Sequence, residues 1–214
     1  MELGFIFIIA ALIISIVIHE ASHGYMANWL GDPTARLAGR LTLNPIPHID
    51  PLGSVIIPGL LYLTGAGILF GYAKPVPYNP YNLRNQRWGE ALVAAAGPGV
   101  NILIAVVFGL IVRFGDLFTL DAAFLFIAGY IVYINILLAC FNLIPVPPLD
   151  GSKILAAFLP LRARMRFEEI GRQIEQYGLI ATVVFIFIFI NFLWAPFSQV
   201  VNGVFMLLTG TSFF

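Results

Sequence analysis

Two histidines and a glutamate near the start of the chain have the types and the spacing of a metal-dependent hydrolase. They lie in the segment His19-Glu20-Ala21-Ser22-His23, which matches the pattern H-E-x-x-H. On a helix, residues i and i+4 share one face, so both imidazoles can reach the same ion. Glu20 can then reach a water on that ion, whose pKa zinc lowers to about 7, and act as a general base. The pattern therefore predicts a zinc centre that activates water.

A catalytic zinc site usually takes three protein ligands, so the two histidines need a third. The best placed candidate is Asp150, because it follows an apolar run in a segment whose three prolines prevent a regular helix. Non-helical backbone at membrane depth is tolerated only where it is buried in protein or lines a cavity. We expect Asp150 to complete the site, the alternative being an ordinary Asp-Gly turn at the membrane surface. The other candidates are His48, Asp50, Glu90 and Asp121.

The composition indicates that membrane helices position these residues. Hydrophobic residues make up 60% of the 214 residues and charged residues 10%, against about 45 to 50% and about 25% in a soluble domain. The formal net charge is zero and no basic run occurs, so nucleic acid is not an expected partner. The single cysteine, Cys140, excludes an internal disulfide and a thiolate metal cluster. We expect an integral membrane protein that lies in a lipid bilayer.

Apolar runs of spanning length predict an all-α polytopic membrane protein with about four to six transmembrane helices. We expect a re-entrant or β-hairpin-like segment after the first helix, at residues 52–72, because this apolar run is broken by glycines and by Pro58. We expect Pro196 to end the last span, so that the tail 197–214 returns through the membrane or lies in the interface. The first helix lacks the features of a removed signal peptide, and we interpret residues 1–214 as one domain. The expected spans are residues 3–25, 91–112, 122–143 and 179–194.

A shared metal site would also constrain the topology. If His19, His23 and Asp150 bind one ion, an even number of crossings separates them, so residues 52–72 must return to the side from which they enter. Ten of the 11 Lys and Arg residues then lie on one side, with Arg113 on the other. Because short cytoplasmic loops carry an excess of Lys and Arg, we expect an outside N-terminus and a site nearer the cytoplasmic face.

Three segments in a fixed order carry a resemblance to a known family. His19 to His23 in the first span is followed by AGPGVN, residues 96–101, in a middle span and by NLIPVPPLDG, residues 142–151, after another. In this order they resemble the site-2 protease (M50) family of intramembrane zinc metalloproteases. Residues 43–51 and 71–77 look like its compact prokaryotic branch. We expect neither the PDZ domain nor the regulatory domain that many relatives carry.

The resemblance implies one zinc ion per chain, bound by His19, His23 and Asp150, with Glu20 activating water. It implies a substrate with a single transmembrane segment, cut in or near that segment, in the prokaryotic cytoplasmic membrane. An edge strand that receives the extended substrate in the family would suit residues 52–72.

Asn142 is implied to orient the substrate or to stabilise the oxyanion, with hydrogen bonding between helices as an equal alternative. We expect Asn101 to serve helix packing rather than catalysis, and His48 to be structural.

Two other functions stay open from the sequence. A divalent metal transporter would also place His and Asp in membrane helices, because such residues line ion paths. A non-catalytic relative would bind membrane segments without cutting them, although the intact Glu20 argues against this. Metal flux that tolerates Glu20→Gln would indicate the transporter.

Overall fold

Long apolar helices make up most of the chain. The structure, a computed structural model, describes residues 2–56, 59, 63 and 71–213. No strand occurs within those ranges, and the prediction of an all-α polytopic membrane protein is confirmed. The helices are α1 (Glu2–Trp29), α2 (Thr34–Leu37), α3 (Gly89–Phe114), α4 (Ala122–Asn142), α5 (Asp150–Phe158), α6 (Leu161–Gln176), α7 (Leu179–Ile188) and α8 (Trp194–Thr209).

Four helical stretches of the described residues are long and apolar enough to cross a bilayer. They are Ile6–Trp29, Gly89–Phe118, Ala122–Asn142 and Val183–Thr209. The segment expected to re-enter the membrane, residues 52–72, lies mostly outside the described residues. Its described beginning is a π-helical turn, Pro51–Ile56, to which the chain returns where the amide of Tyr72 donates to the carbonyl of Gly53 at 3.1 Å.

The last span differs from the expectation at Pro196. Helix α7 passes into a π-helical turn, Phe189–Leu193, and then into α8, so the helical path continues to Thr209. Pro196 lies in the first turn of α8, which begins at Trp194. Proline is tolerated there because the first amides of a helix have no acceptor within that helix. Most of the tail expected after Pro196 thus belongs to the fourth span.

Helices α1, α3 and α4 pack against one another, and α8 packs against α3 and α4. The end of α1 lies beside the start of α3, because the amide of Arg84 donates to the carbonyl of Leu30 at 2.9 Å. At the other end of α3, the guanidinium of Arg113 donates to the carbonyl of Leu207 in α8 at 2.7 Å. The chain between α1 and α3 therefore leaves and returns at the same end of the bundle.

Asp32 joins the end of α1 to the segment that leads into α3. Its fully buried carboxylate accepts hydrogen bonds from the amide of Asn79 at 2.7 Å and the side chain of Asn82 at 2.8 Å. The amide and hydroxyl of Thr34 also donate to it. Burial raises the pKa of the Asp32 carboxyl, but these donors lower it by more, so the pKa lies below its usual value. Asp32 thereby fixes the segment that crosses this end of the bundle.

We expect Asp32 to stabilise the fold in a pH-dependent way. Because its folded pKa lies below the unfolded value, its contribution is complete above about pH 4 and is lost as the pH falls further. Asp32→Asn should cost about 1 to 3 kcal/mol of unfolding free energy at neutral pH, and the difference from wild type should shrink below about pH 4. Thermal unfolding in detergent, followed by tryptophan fluorescence, measures both. A difference that stays constant with pH would contradict this role.

Candidate metal centre

Two imidazoles of α1 and one carboxylate of α5 converge within the bundle. The Nε2 atoms of His19 and His23 lie 3.2 and 3.3 Å from Oδ2 of Asp150, and the candidate ligand atoms all lie within 4.8 Å of one another. Asp150 is the first residue of α5, where the helix dipole favours negative charge. It is therefore an anion at neutral pH.

Hydrogen bonds on the far side of each imidazole determine which ring nitrogen carries the proton. Nδ1 of His23 lies 2.7 Å from the carbonyl of Val93, which can only accept, so Nδ1 is the donor. Nδ1 of His19 lies 2.5 Å from Oδ1 of Asn101, which also only accepts. In its neutral form, each ring therefore directs the Nε2 lone pair toward Asp150.

A buried chain of amides fixes the orientation of Asn101. The amide nitrogen of Asn135 donates to the carbonyl of Ile131 at 2.8 Å and to the hydroxyl of Ser15 at 2.9 Å. Its oxygen accepts from the amide nitrogen of Asn101 at 2.7 Å, which leaves Oδ1 of Asn101 for His19. Asn101 and Asn135 are both 0% exposed. Because the carbonyl of Ile131 can only accept, the direction of every bond in this chain follows from it.

The three converging atoms fit a cation, and zinc in particular. Oδ2 of Asp150 has no hydrogen-bond partner in the described part of the chain, although it is buried, and the neutral form of each imidazole faces it with the Nε2 lone pair. A buried anion without a donor is costly unless a positive charge lies beside it. Two imidazole nitrogens and one carboxylate oxygen form a donor set that catalytic zinc takes, with a fourth position left for water or substrate.

Glycines allow the close approach that this cluster requires. A Cβ on Gly97 in α3 would lie 2.5 Å from Nε2 of His23 and 2.6 Å from both Cε1 and Nε2 of His19. A Cβ on Gly151 would overlap the carbonyl oxygen of Leu143, where the chain folds back after α4. Glycine at position 97 lets α3 come up to the histidines, and glycine at position 151 lets the start of α5 pack against the chain that follows α4.

Glu20 and Asn142 face a cavity of about 170 Å³ beside the three candidate ligands. The carboxylate of Glu20 accepts a hydrogen bond from the amide of Val76 at 3.2 Å. The amide nitrogen of Asn142 donates to the carbonyl of Leu138 at 3.0 Å, within its own helix rather than to another helix. Glu20 thus lines the same cavity as the three candidate ligands.

Comparison with known proteins identifies the family. The family model of Peptidase family M50 matches residues 115–189, a range that includes Asp150. The protein named "Putative zinc metalloprotease YwhC" from Bacillus subtilis is 35% identical over 186 residues, which are 83% of this chain and 78% of that protein. The chain belongs to peptidase family M50. It is a membrane zinc metalloprotease, which confirms the enzyme class and the cofactor expected from the sequence.

Two further relatives of this M50 peptidase are more distant. "Putative zinc metalloprotease Rip2" from Mycolicibacterium smegmatis is 30% identical over 156 residues, 72% of this chain and 58% of that protein. "Zinc metalloprotease MJ0392" from Methanocaldococcus jannaschii is 27% identical over 148 residues, 69% of this chain and 33% of that protein. No solved structure matches the chain.

The other candidate ligands of the M50 peptidase have partners elsewhere, and none belongs to the cluster of His19, His23 and Asp150 in the described residues. Nε2 of His48 donates to the carbonyl of Thr42 at 3.0 Å, and the carboxylate of Asp50 accepts from the amide of Gly53 at 2.7 Å. Glu90 forms an ion pair with Arg164 at 3.3 Å. Asp121 caps α4 by accepting from the amide of Ala123 at 2.8 Å.

Most of the polar chain behind the histidines of the M50 peptidase is not predicted by the sequence. Asn101 is expected to serve packing, and Ser15 and Asn135 carry no expectation. Two signals were available, because Ser15 lies four residues before His19 on the same helix face and Asn135 is an isolated amide in an apolar span. Neither signal identifies the partner across the helices, which the structure supplies.

Proposed function

We propose that this M50 peptidase hydrolyses peptide bonds in or next to transmembrane segments of other membrane proteins, at a zinc ion held by His19, His23 and Asp150. The observation that carries the proposal is the convergence of three candidate ligand atoms inside a bundle of apolar helices. His19 lies about 15 Å along α1 from Trp29, at a rise of about 1.5 Å per residue. A peptide bond that reaches it therefore lies within the membrane or close to its surface.

Glu20 is the general base of the proposed reaction. Zinc, when bound, polarises the scissile carbonyl and lowers the pKa of water. Glu20 takes a proton from the attacking water, whose oxygen bonds to the carbonyl carbon. The carbon–nitrogen bond then breaks, and Glu20 passes the proton to the leaving nitrogen, which restores the carboxylate. The amide of Val76 holds that carboxylate at the cavity. Asn142, which lines the same cavity, orients the substrate.

The proposed substrate is a membrane protein with a single transmembrane segment, and residues 1–214 act on it as one domain. The proposed location is the prokaryotic cytoplasmic membrane, with the site toward the cytoplasm. This orientation is supported by the charges, because Arg113 lies at the far end of α3 while Arg84 lies beside the end of α1 nearest the site.

Removal of zinc is expected to abolish cleavage, and its return to restore it. Purified protein should hold one zinc per chain by mass spectrometry and should cut a member of a panel of single-span substrates in liposomes. Asp150→Asn should lose zinc, because a neutral amide replaces the anionic ligand, while Asp121→Asn, which alters a carboxylate that only caps α4, should keep it. Cleavage that persists after chelation, or zinc retained by Asp150→Asn, would exclude the proposal.

A further inference from the structure

Lys153 lines the same cavity as His19, Glu20, His23 and Asp150. It lies three residues after Asp150 on α5, so the two side chains emerge on neighbouring positions of one helix face. Its ammonium lies 5.2 Å from the centre of the Tyr78 ring, which belongs to the segment that also carries Val76. The proposed chemistry leaves this lysine without a role.

The ammonium of Lys153 is partly buried yet forms no ion pair within the described ranges, where the nearest carboxylate oxygens lie beyond 4.0 Å. Burial lowers the pKa of Lys153, but Tyr78, Asp150 and Glu90 raise it by more, so the group stays charged. A buried charge without an oppositely charged partner is costly, which means that an anion in the cavity would be stabilised there.

The charges of the site leave room for one anion. The carboxylates of Glu20 and Asp150 balance the two positive charges of a zinc ion, and the imidazoles are neutral, so Lys153 is left as one positive charge in excess. When Glu20 takes a proton from the attacking water, its own negative charge disappears and the scissile oxygen gains one, so the total charge of the site stays the same. The positive charge of Lys153 is therefore available to stabilise the negative charge at its new position on that oxygen.

We propose that Lys153 is a catalytic residue whose ammonium donates a hydrogen bond to the oxyanion that forms on the scissile carbonyl. The inference rests on the proposed function. When the carbon–nitrogen bond breaks, the electron pair on oxygen re-forms the carbonyl, and the nitrogen takes the proton that Glu20 received from water. Lys153 keeps its own protons throughout, so it acts through charge and hydrogen bonding alone.

The competing interpretation is structural, because Lys153 also packs on Tyr78 and could hold residues 71–79 against α5. The chain offers a matched control, since its only other lysine, Lys74, has an exposed side chain. Lys153→Met removes the charge, Lys153→Arg keeps it, and Lys74→Met removes a charge outside the cavity. Lys153→Gln, a polar replacement, serves if Lys153→Met does not fold.

The test measures cleavage and, separately, the binding of inorganic phosphate to zinc-loaded protein by phosphorus NMR. We expect Lys153→Met to lower kcat by about 10² to 10³-fold with little change in KM or zinc content, and to weaken phosphate binding by about tenfold or more. Lys153→Arg should retain most of the cleavage rate and of the phosphate affinity. Lys74→Met should retain both at the wild-type level.

Two results would overturn the role of Lys153. The first is that Lys153→Met, or Lys153→Gln if Lys153→Met does not fold, binds phosphate as tightly as wild type. Any loss of cleavage would then be explained by the lost structural contact with Tyr78. The other is a wild-type protein that binds no phosphate. Failure of the proposed function gives a different pattern, because a wild type that holds zinc and binds phosphate through Lys153 but cuts no substrate would refute the cleavage of membrane segments and leave Lys153 as an anion-binding residue of the site.

Discussion

Glu20→Gln is expected to stop cleavage while leaving zinc in place. Glutamine has nearly the same shape and can still accept the hydrogen bond of the Val76 amide through its oxygen, so the cavity should keep its form. It cannot take a proton from water, and loss of a general base typically costs about 10² to 10⁴-fold in rate. His19, His23 and Asp150 are untouched, so zinc should stay at one per chain. Cleavage rate and zinc content are measured on the same preparation.

The control for this variant is Glu90→Gln, which alters a carboxylate at the same end of the bundle that pairs with Arg164. It should cleave at close to the wild-type rate. A Glu20→Gln variant that cleaves at the wild-type rate would rule out Glu20 as the general base. Zinc flux into liposomes that survives Glu20→Gln would instead indicate the metal transporter considered from the sequence, and a protein that binds single-span substrates but never cuts them would indicate a non-catalytic relative.

The cluster of His19, His23 and Asp150 could be predicted from the sequence because its geometry depends on regular features. Helix periodicity alone brings the two histidines to one face. Asp150 required a second argument, from the prolines before it and from the number of membrane crossings. The structure brings the three side chains together at one end of the bundle, where the start of α3 meets the end of α1.

The partners of these side chains could not be predicted, because they depend on how neighbouring helices are rotated about their axes. Spacing shows that Asn101 lies four residues after Gly97, but not that this face of α3 meets His19. Val76 was missed for another reason. Residues 71–79 form neither helix nor strand, and such backbone has no periodicity from which to infer contacts. At Pro196 the sequence predicted a break that the structure does not have. Proline usually interrupts a helix, but here it lies in the first turn of α8, where it is tolerated.

Gly97→Ala is expected to weaken zinc binding and cleavage together. The added Cβ would lie 2.5 Å from Nε2 of His23 and 2.6 Å from Nε2 of His19, which are the atoms proposed to bind zinc. The rings cannot turn away freely, because His19 is bonded to Asn101 and His23 to Val93. We expect zinc affinity to fall by about 10 to 100-fold, as when hydrogen-bonding support of a ligand is lost.

The control is two residues away on the same helix. A Cβ on Gly99 meets nothing within 4 Å, and alanine favours a helix over glycine by about 1 kcal/mol, so Gly99→Ala should keep zinc and cleavage and unfold at the same or a higher temperature. Gly97→Ala gains the same helix preference, which means that any loss it shows reports the contact with the imidazoles rather than a weaker helix. Competition with a fluorescent chelator gives the two zinc affinities. Equal affinities for both variants would mean that α3 does not approach His19 and His23 as closely as described.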